Sequence, residues 1–213
     1  MQIITIDFET FYDVGFSLSR MTTEEYINDP RFQVIGVAIR IDEGKIEWHA
    51  GEDVAKAIAS VDWSDSALLC HNTQFDGAIL KWRYNARPVV YLDTLCMARA
   101  LHGVDAGGSL KALALRYELG EKGTEVLEAK GKRIEDFQDH ELRQYGVYCK
   151  NDVKLTYDLF KELAKGFPAP ELNLIDITLR MYILPQLKLD SSLLVDRLKE
   201  VRASKHALIQ NVK

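Results

Sequence analysis

The chain opens with MQIITIDFET (residues 1–10), in which Ile3, Ile4, Thr5 and Ile6 run directly into Asp7 and Glu9. The β-branched run predicts a buried strand over residues 2–6. Residues i and i+2 of a strand share a face, so the two carboxylates stand side by side at its end. Like charges so placed repel, and burial raises the cost further. A hard divalent cation between them resolves the conflict. A strand that simply ends in two solvated acids is the other reading of the same ten residues.

Working outward, FQVIGVAIRID (32–42) alternates as a strand and EGKIEW (43–48) reads as a turn and a further strand, which predicts a three-strand antiparallel opening. EDVAKAIASV (52–61) has helical spacing, ALLCHN (67–72) reads as a short buried strand, FDGAILKWRY (75–84) as a helix and VVYLDT (89–94) as the fifth strand. Helices are predicted at roughly 94–102, 109–117 and 139–165. The order βββαβαβ followed by helices predicts an α/β domain with a mixed sheet. The polar segment 118–138 reads as a long loop with one helical turn.

A break at KGFPAP (165–170) divides a domain over 1–168 from a helical extension over 169–213. In the extension, ELNLIDITLRMYIL (171–184) is helical up to Pro185. The last helix repeats Leu194, Leu198, Val201, Lys205, Leu208 and Val212 in steps of four and three. An amphipathic helix packed on its own chain accounts for that stripe. It carries no stop signal, so the chain is expected to be a fragment of a longer protein.

The bulk composition sets limits on function. The 213 residues, 47% hydrophobic and 28% charged, suffice for one large domain with an extension. No apolar run approaches the roughly 20 residues of a membrane span, and Asp7 and Glu9 interrupt any signal peptide, so no membrane partner is expected. Three cysteines without metal-ligand spacing suggest a reducing, cytoplasmic setting. A net charge of −5 argues against gripping long duplex DNA by charge alone. It leaves room for an enzyme that takes one nucleic-acid end, because bound divalent ions would bring positive charge to where a phosphate sits.

Two further acids stand in similar places. Asp76 opens the helix of HNTQFDGAIL (71–80), and Asp152 lies in the helix of YGVYCKNDVKLTYDLF (145–160), four residues after Tyr148 and on its face. These residues resemble the motifs of the 3′–5′ exonucleases of the ribonuclease H-like superfamily, in the subgroup with four acids and a tyrosine (DEDDy). Asp-x-Glu-Thr is matched by Asp7, Glu9 and Thr10; Asn-x-x-Phe/Tyr-Asp by Asn72, Phe75 and Asp76; and Tyr-x-x-x-Asp by Tyr148 and Asp152. SLSRMTTEEYINDPRFQVIGV, GGSLKALA, ELRQYGVYCKNDVKLT and LIDITLRMYILPQLKLD are similar to the N-terminal part of bacteriophage family A DNA polymerases.

The resemblance implies a five-stranded mixed sheet with flanking helices, followed by an extension into a polymerase domain of the same longer chain. It implies proofreading of single-stranded DNA 3′ ends with two divalent cations, Mg²⁺ or Mn²⁺, in the host cytoplasm. By the same resemblance Asp7 bridges both ions, Glu9 and Asp152 serve the ion that activates water, and Asp76 acts on the other, mostly through waters. Tyr148, a phenol of pKa near 10, orients the attacking water. Thr10, Phe11, Asn72 and Phe75 contact the terminal nucleotides, the aromatic one by stacking.

Other readings of the same residues stay open. The enzyme can be an RNA-trimming exonuclease of the same subgroup, or the domain a catalytically silent module that holds DNA or the polymerase. Asp76 can be an early-helix acid favoured by the dipole, and Tyr148 a half-buried aromatic like Tyr145. His71 reads as structural or substrate-side, Asp93 as a helix cap for TLCMARAL, and KGKR (130–133) as a solvated loop or a contact for DNA backbone.

Overall fold

The computed structural model describes residues 1–121 and 129–211, so the part of the expected loop at 122–128 and the expected stripe residue Val212 lie outside the described residues. Five strands form one sheet: β1 (Gln2–Thr10), β2 (Val34–Ile41), β3 (Glu47–Ala50), β4 (Ser66–Cys70) and β5 (Val90–Asp93), in the order β3-β2-β1-β4-β5. β1, β2 and β3 pair antiparallel, as their sequence predicts, while β4 and β5 run parallel to β1. The α/β class follows.

β1 is longer than the sequence suggests. Asp7 and Glu9 lie within it, opposite Ala38 and Gly36 of β2, and a register shift falls between Glu9 and Thr10. Acids are poor strand formers, but β2 supplies their ladder partners. On the other side β1 pairs with β4 only from Gln2 to Thr5. The two acids therefore stand where β1 has outrun β4, beyond the carboxyl ends of the parallel strands. That is where open α/β sheets bind ligands.

The helices are α1 (Thr23–Asn28), α2 (Asp53–Ser60), α3 (Thr73–Tyr84), α4 (Thr94–His102), α5 (Leu110–Arg116), α6 (Asp139–Leu163), α7 (Ala169–Ile183) and α8 (Ser191–Asn211). α1 was not expected from periodicity, although a capping box between Thr22 and Glu25 starts it. α7 begins two residues earlier than expected, because Pro170 is well suited to the first turn of a helix. One 3₁₀ turn, Ile134–Asp136, lies in the described part of the 118–138 segment.

The strand alternation sorts β1 between two layers. Ile4, Ile6 and Phe8 are buried in the main core with Ile79 and Leu80 of α3. On the other face α6 covers Asp7 and Glu9, and Cys149 and Val153 pack with Ala38 and Trp48. α7 docks on α3 and β5. Leu179 and Ile183 are buried, and Asp176 accepts the Tyr91 backbone N–H at 2.7 Å on the outer strand. Along α8 every described residue from Ser191 to Gln210 is exposed, with Leu198 46% and Leu208 68% accessible. No helix among the described residues is long and apolar enough to cross a membrane.

Two glycines set the spacing between α6 and the sheet. A Cβ on Gly36 would overlap the Trp48 indole, and one on Gly146 would lie 2.6 Å from it. Trp48 thus lies between β2 and α6 with no space to spare. Gly146→Ala is expected to cost about 1–3 kcal/mol through overpacking, read as a lower urea midpoint at unchanged slope; a midpoint at or above that of the parent would contradict the packing.

Candidate active site

Three elements converge at the end of β1. The first is β1 itself, with Asp7 and Glu9 on one face. The second is the turn from β4 into α3. Asn72 takes the left-handed conformation there (φ 74°), which Asn tolerates better than most residues, and turns the chain directly into the helix. Asp76 follows in the first turn of α3, buried, and its Oδ1 accepts the backbone N–H of Phe8 at 3.0 Å. That bond places the third acid against the residue between the other two. Burial pushes the Asp76 carboxyl well above the usual range, the nearby charge of Asp7 adds to the rise, and the Phe8 N–H opposes it.

The third element is α6. It brings Asp152, buried, and Tyr148, half-buried, one turn apart on one face. The same helix makes two bonds that the sequence did not suggest. The Tyr145 hydroxyl donates to Glu9 Oε2 at 2.7 Å. The Cys149 thiol lies 3.2 Å from the Asp7 carbonyl oxygen and 3.4 Å from Asp7 Oδ2. In the sequence Tyr145 reads as an ordinary helical tyrosine, and Cys149 as a cysteine without metal-ligand spacing. The signal was nonetheless present, since Tyr145, Cys149 and Asp152 recur in steps of four and three along the face that meets β1.

Ligand atoms of Asp7, Glu9 and Cys149 all lie within 4.8 Å of one another. Burial first, then the charges of Asp7 and Glu9, push the Cys149 thiol well above its ordinary value. A thiol so raised serves as a donor, which leaves carboxylate oxygens as the atoms that could hold a metal. Burial and the adjacent Glu9 likewise keep Tyr145 a neutral phenol.

The remaining candidates fall into two groups. Thr10 and Phe75 border the acids and share one neighbour, Tyr26 of α1: its hydroxyl lies 2.9 Å from Thr10 Oγ1, and its ring is 6.1 Å from that of Phe75. Burial raises the Tyr26 pKa to about 12. Asn72 is exposed at the turn. Phe11 is different: it is 6% accessible, stacks on Phe16 and is covered by the Arg133 guanidinium at 4.2 Å, so its ring serves packing.

His71 is held by Thr94 Oγ1 on Nδ1 (2.8 Å) and donates from Nε2 to the Gly108 carbonyl (2.9 Å), which accords with its structural reading. Asp93 caps two helices, accepting backbone N–H groups of Asn72 and Thr73 at the start of α3 and of Leu95 and Cys96 in α4. In KGKR, Lys132 pairs with Glu141 at 2.6 Å, while Arg133 covers Phe11 and donates to the Arg31 carbonyl.

A family model described as 3′-5′ exonuclease matches residues 22–167, more than half of the chain. The chain belongs to the 3′–5′ exonuclease family. The matched span includes Asp76, Tyr148 and Asp152 and begins after Asp7 and Glu9. No curated protein matches the chain in sequence. Among solved structures, this exonuclease is similar to Brucella melitensis NrnC, at 15% identity over 85% of this chain and 81% of that one, with a TM-score of 0.58. It is similar to Trypanosoma brucei RNase D, at 14% over 89% and 68%, TM-score 0.61. A third is the family B DNA polymerase of the archaeon Pyrobaculum calidifontis, at 14% over 77% and 24%, TM-score 0.53. At these identities the likeness is one of fold, and the fold is the ribonuclease H-like mixed sheet with flanking helices.

Exonucleases of this kind use two divalent cations, and NrnC has been solved with bound Mg²⁺. The residues present here fit such ions: an all-oxygen carboxylate set suits hard cations, and Asp76, buried beside Asp7, is ionised only at a cost that a cation offsets. The sign of the pH effect follows. A carboxyl raised on folding makes the native state bind more protons than the unfolded one, so without metal its contribution to stability falls as pH rises from the ordinary carboxylate range through the raised value. In EDTA, Asp76→Asn is expected to be more stable than the parent at pH 7–8, with the gap closing towards pH 4. Urea unfolding measures it, and a parent more stable than the variant at neutral pH would contradict the burial.

Proposed function

We propose that the chain is a metal-dependent exonuclease that removes nucleotides from DNA 3′ ends, the proofreading part of a bacteriophage family A DNA polymerase. In this reading 1–168 carries the chemistry and 169–213 leads to a polymerase domain of a longer chain working in the host cytoplasm. The observation that carries it is the meeting of Asp7, Glu9 and Asp76 at the end of β1, beneath the helix that bears Tyr148 and Asp152. The DNA assignment is supported by the sequence segments similar to phage polymerases.

Four acids would hold the ions, as in the family pattern: Asp7 shared, Glu9 and Asp152 on the water side, Asp76 on the leaving-group side. When bound, two divalent ions neutralise phosphate charge and lower the pKa of water. The protein's own residues do the rest. Tyr148 orients the attacking water by a hydrogen bond. Thr10 and Asn72 supply polar contacts to the terminal nucleotide, and Phe75 an aromatic edge for its base. Phe11 acts from beneath, its carbonyl accepting the Tyr26 hydroxyl at 2.5 Å. A net charge of −5 favours a substrate that enters as one splayed end.

A second reading, RNA trimming, is favoured by the fold likeness to a structure described as RNase D in complex with RNA U12. Digestion of 5′-labelled single strands of DNA and RNA of one sequence in Mg²⁺ separates the two. The expected result is a ladder shortening from the 3′ end, faster on DNA, fastest on single strands, slower on a mismatched terminus and slowest on a matched one. Faster loss of RNA would transfer the assignment to the second reading, and release of the 5′ label first would overturn both. Asp7→Ala should cost at least several kcal/mol of transition-state stabilisation. Tyr148→Phe should cost about 1–3 kcal/mol, with metal affinity hardly changed. Single-turnover rates and Mn²⁺ calorimetry check both; full activity in both variants would remove these residues from the site.

A further inference from the structure

We propose that Tyr145 and Cys149 are positioning residues that hold Glu9 and Asp7 in the arrangement that captures divalent cations. The inference rests on the metal-dependent reading above and adds to it two residues outside the recognised motifs.

Two neighbouring carboxylates on one face of a strand repel and swing apart unless something fixes them. Here one helix supplies a separate donor to each: the Tyr145 hydroxyl to Glu9 Oε2 at 2.7 Å, and the Cys149 thiol to Asp7 Oδ2 at 3.4 Å and the Asp7 carbonyl at 3.2 Å. Neither donor is explained by packing. The Tyr145 ring stacks on Phe137 at 5.6 Å and leans on Trp48 at 6.1 Å, contacts that phenylalanine would make equally well. Its hydroxyl, on a residue only 5% accessible, is spent on Glu9. Cys149 is buried among Ala38 and Val153, where alanine or valine would suit the surroundings, yet its sulfur faces Asp7. A carboxylate already fixed by one oxygen loses less freedom when a cation arrives, and hydrogen-bonded partners of metal ligands commonly govern affinity 10–100-fold. The donors act through Asp7 and Glu9, which places their effect on ion capture rather than on the chemical step.

The test uses the whole chain and Mn²⁺ alone as probe, by calorimetric titration, with single-turnover rates measured across Mn²⁺ concentration. Tyr145→Phe keeps the ring and removes the hydroxyl. Cys149→Ala removes the second donor, and Cys149→Ser replaces it with a hydroxyl. Tyr145→Phe and Cys149→Ala are expected to bind Mn²⁺ about 10–100-fold more weakly. Their rate loss should be largest at limiting Mn²⁺ and shrink as Mn²⁺ rises, and Cys149→Ser should recover much of the affinity. A merely structural role would lower the metal-free melting temperature and leave the Mn²⁺ affinity of the folded protein alone. Parent-like affinity in both Tyr145→Phe and Cys149→Ala, with Mn²⁺ binding to the parent, overturns this inference and spares the exonuclease reading. A parent chain that takes up no Mn²⁺ overturns that reading and this inference together.

Discussion

Asp7, Glu9 and Asp76 are crowded where β1 runs past β4, and their mutual repulsion is the constraint that shapes the surrounding structure. Each is tied by its own donor: Asp76 by the β1 backbone, and Glu9 and Asp7 by Tyr145 and Cys149 of α6. The neutral thiol and phenol do this without supplying positive charge of their own. Divalent cations, which exonucleases of this family use, would offset the crowded charge. A site of this kind gives up stability to remain ready for its ligand, a common trade at functional sites.

The scaffold delivers these groups by ordinary means. Pairing with β2 carries β1 beyond its parallel neighbour, a left-handed asparagine turns β4 into α3 within two residues, and Asp93 fixes the starts of α3 and α4 together. On the far edge, α7 covers the outer strand: Asp176 takes the Tyr91 N–H and Arg180 reaches the Val89 carbonyl. Backbone groups that would invite pairing with another sheet are thereby occupied. α8 has no such role in the described structure and stands out from it.

Much of this was legible in the sequence, and the exceptions have physical causes. The five strands and the long helix α6 follow from apolar periodicity, because burial on one face or both leaves a regular pattern. β1 runs past the end that its sequence suggests, because acids are unfavourable in strands unless a partner strand holds them, as β2 does here. α1 escaped because six residues are too few to show periodicity, although Thr22 and Glu25 announced its start. The four acids stand out in the sequence because the spacing within each motif is local, and the structure brings Asp7, Glu9 and Asp76 together at the end of β1. Tyr145 and Cys149 do not stand out, because their meaning depends on which face of α6 meets β1, a tertiary fact. The same holds for Phe11, whose position beside Glu9 and Thr10 suggests a nucleotide contact until the packing of Phe16 and Arg133 around it is seen.

Trp48 has a further consequence. Its indole fills the space left by two absent side chains, one on β2 at Gly36, directly opposite Glu9, and one on α6 at Gly146, between Tyr145 and Tyr148. The three positions form one lock across sequence distances of a dozen and about a hundred residues. Related chains should therefore change them as a set: a smaller residue in place of the tryptophan releases both glycines, whereas either glycine replaced alone displaces the ring. In an alignment the trio should appear as linked columns, with no catalytic group among them, recording the gap between helix and sheet that the acids require.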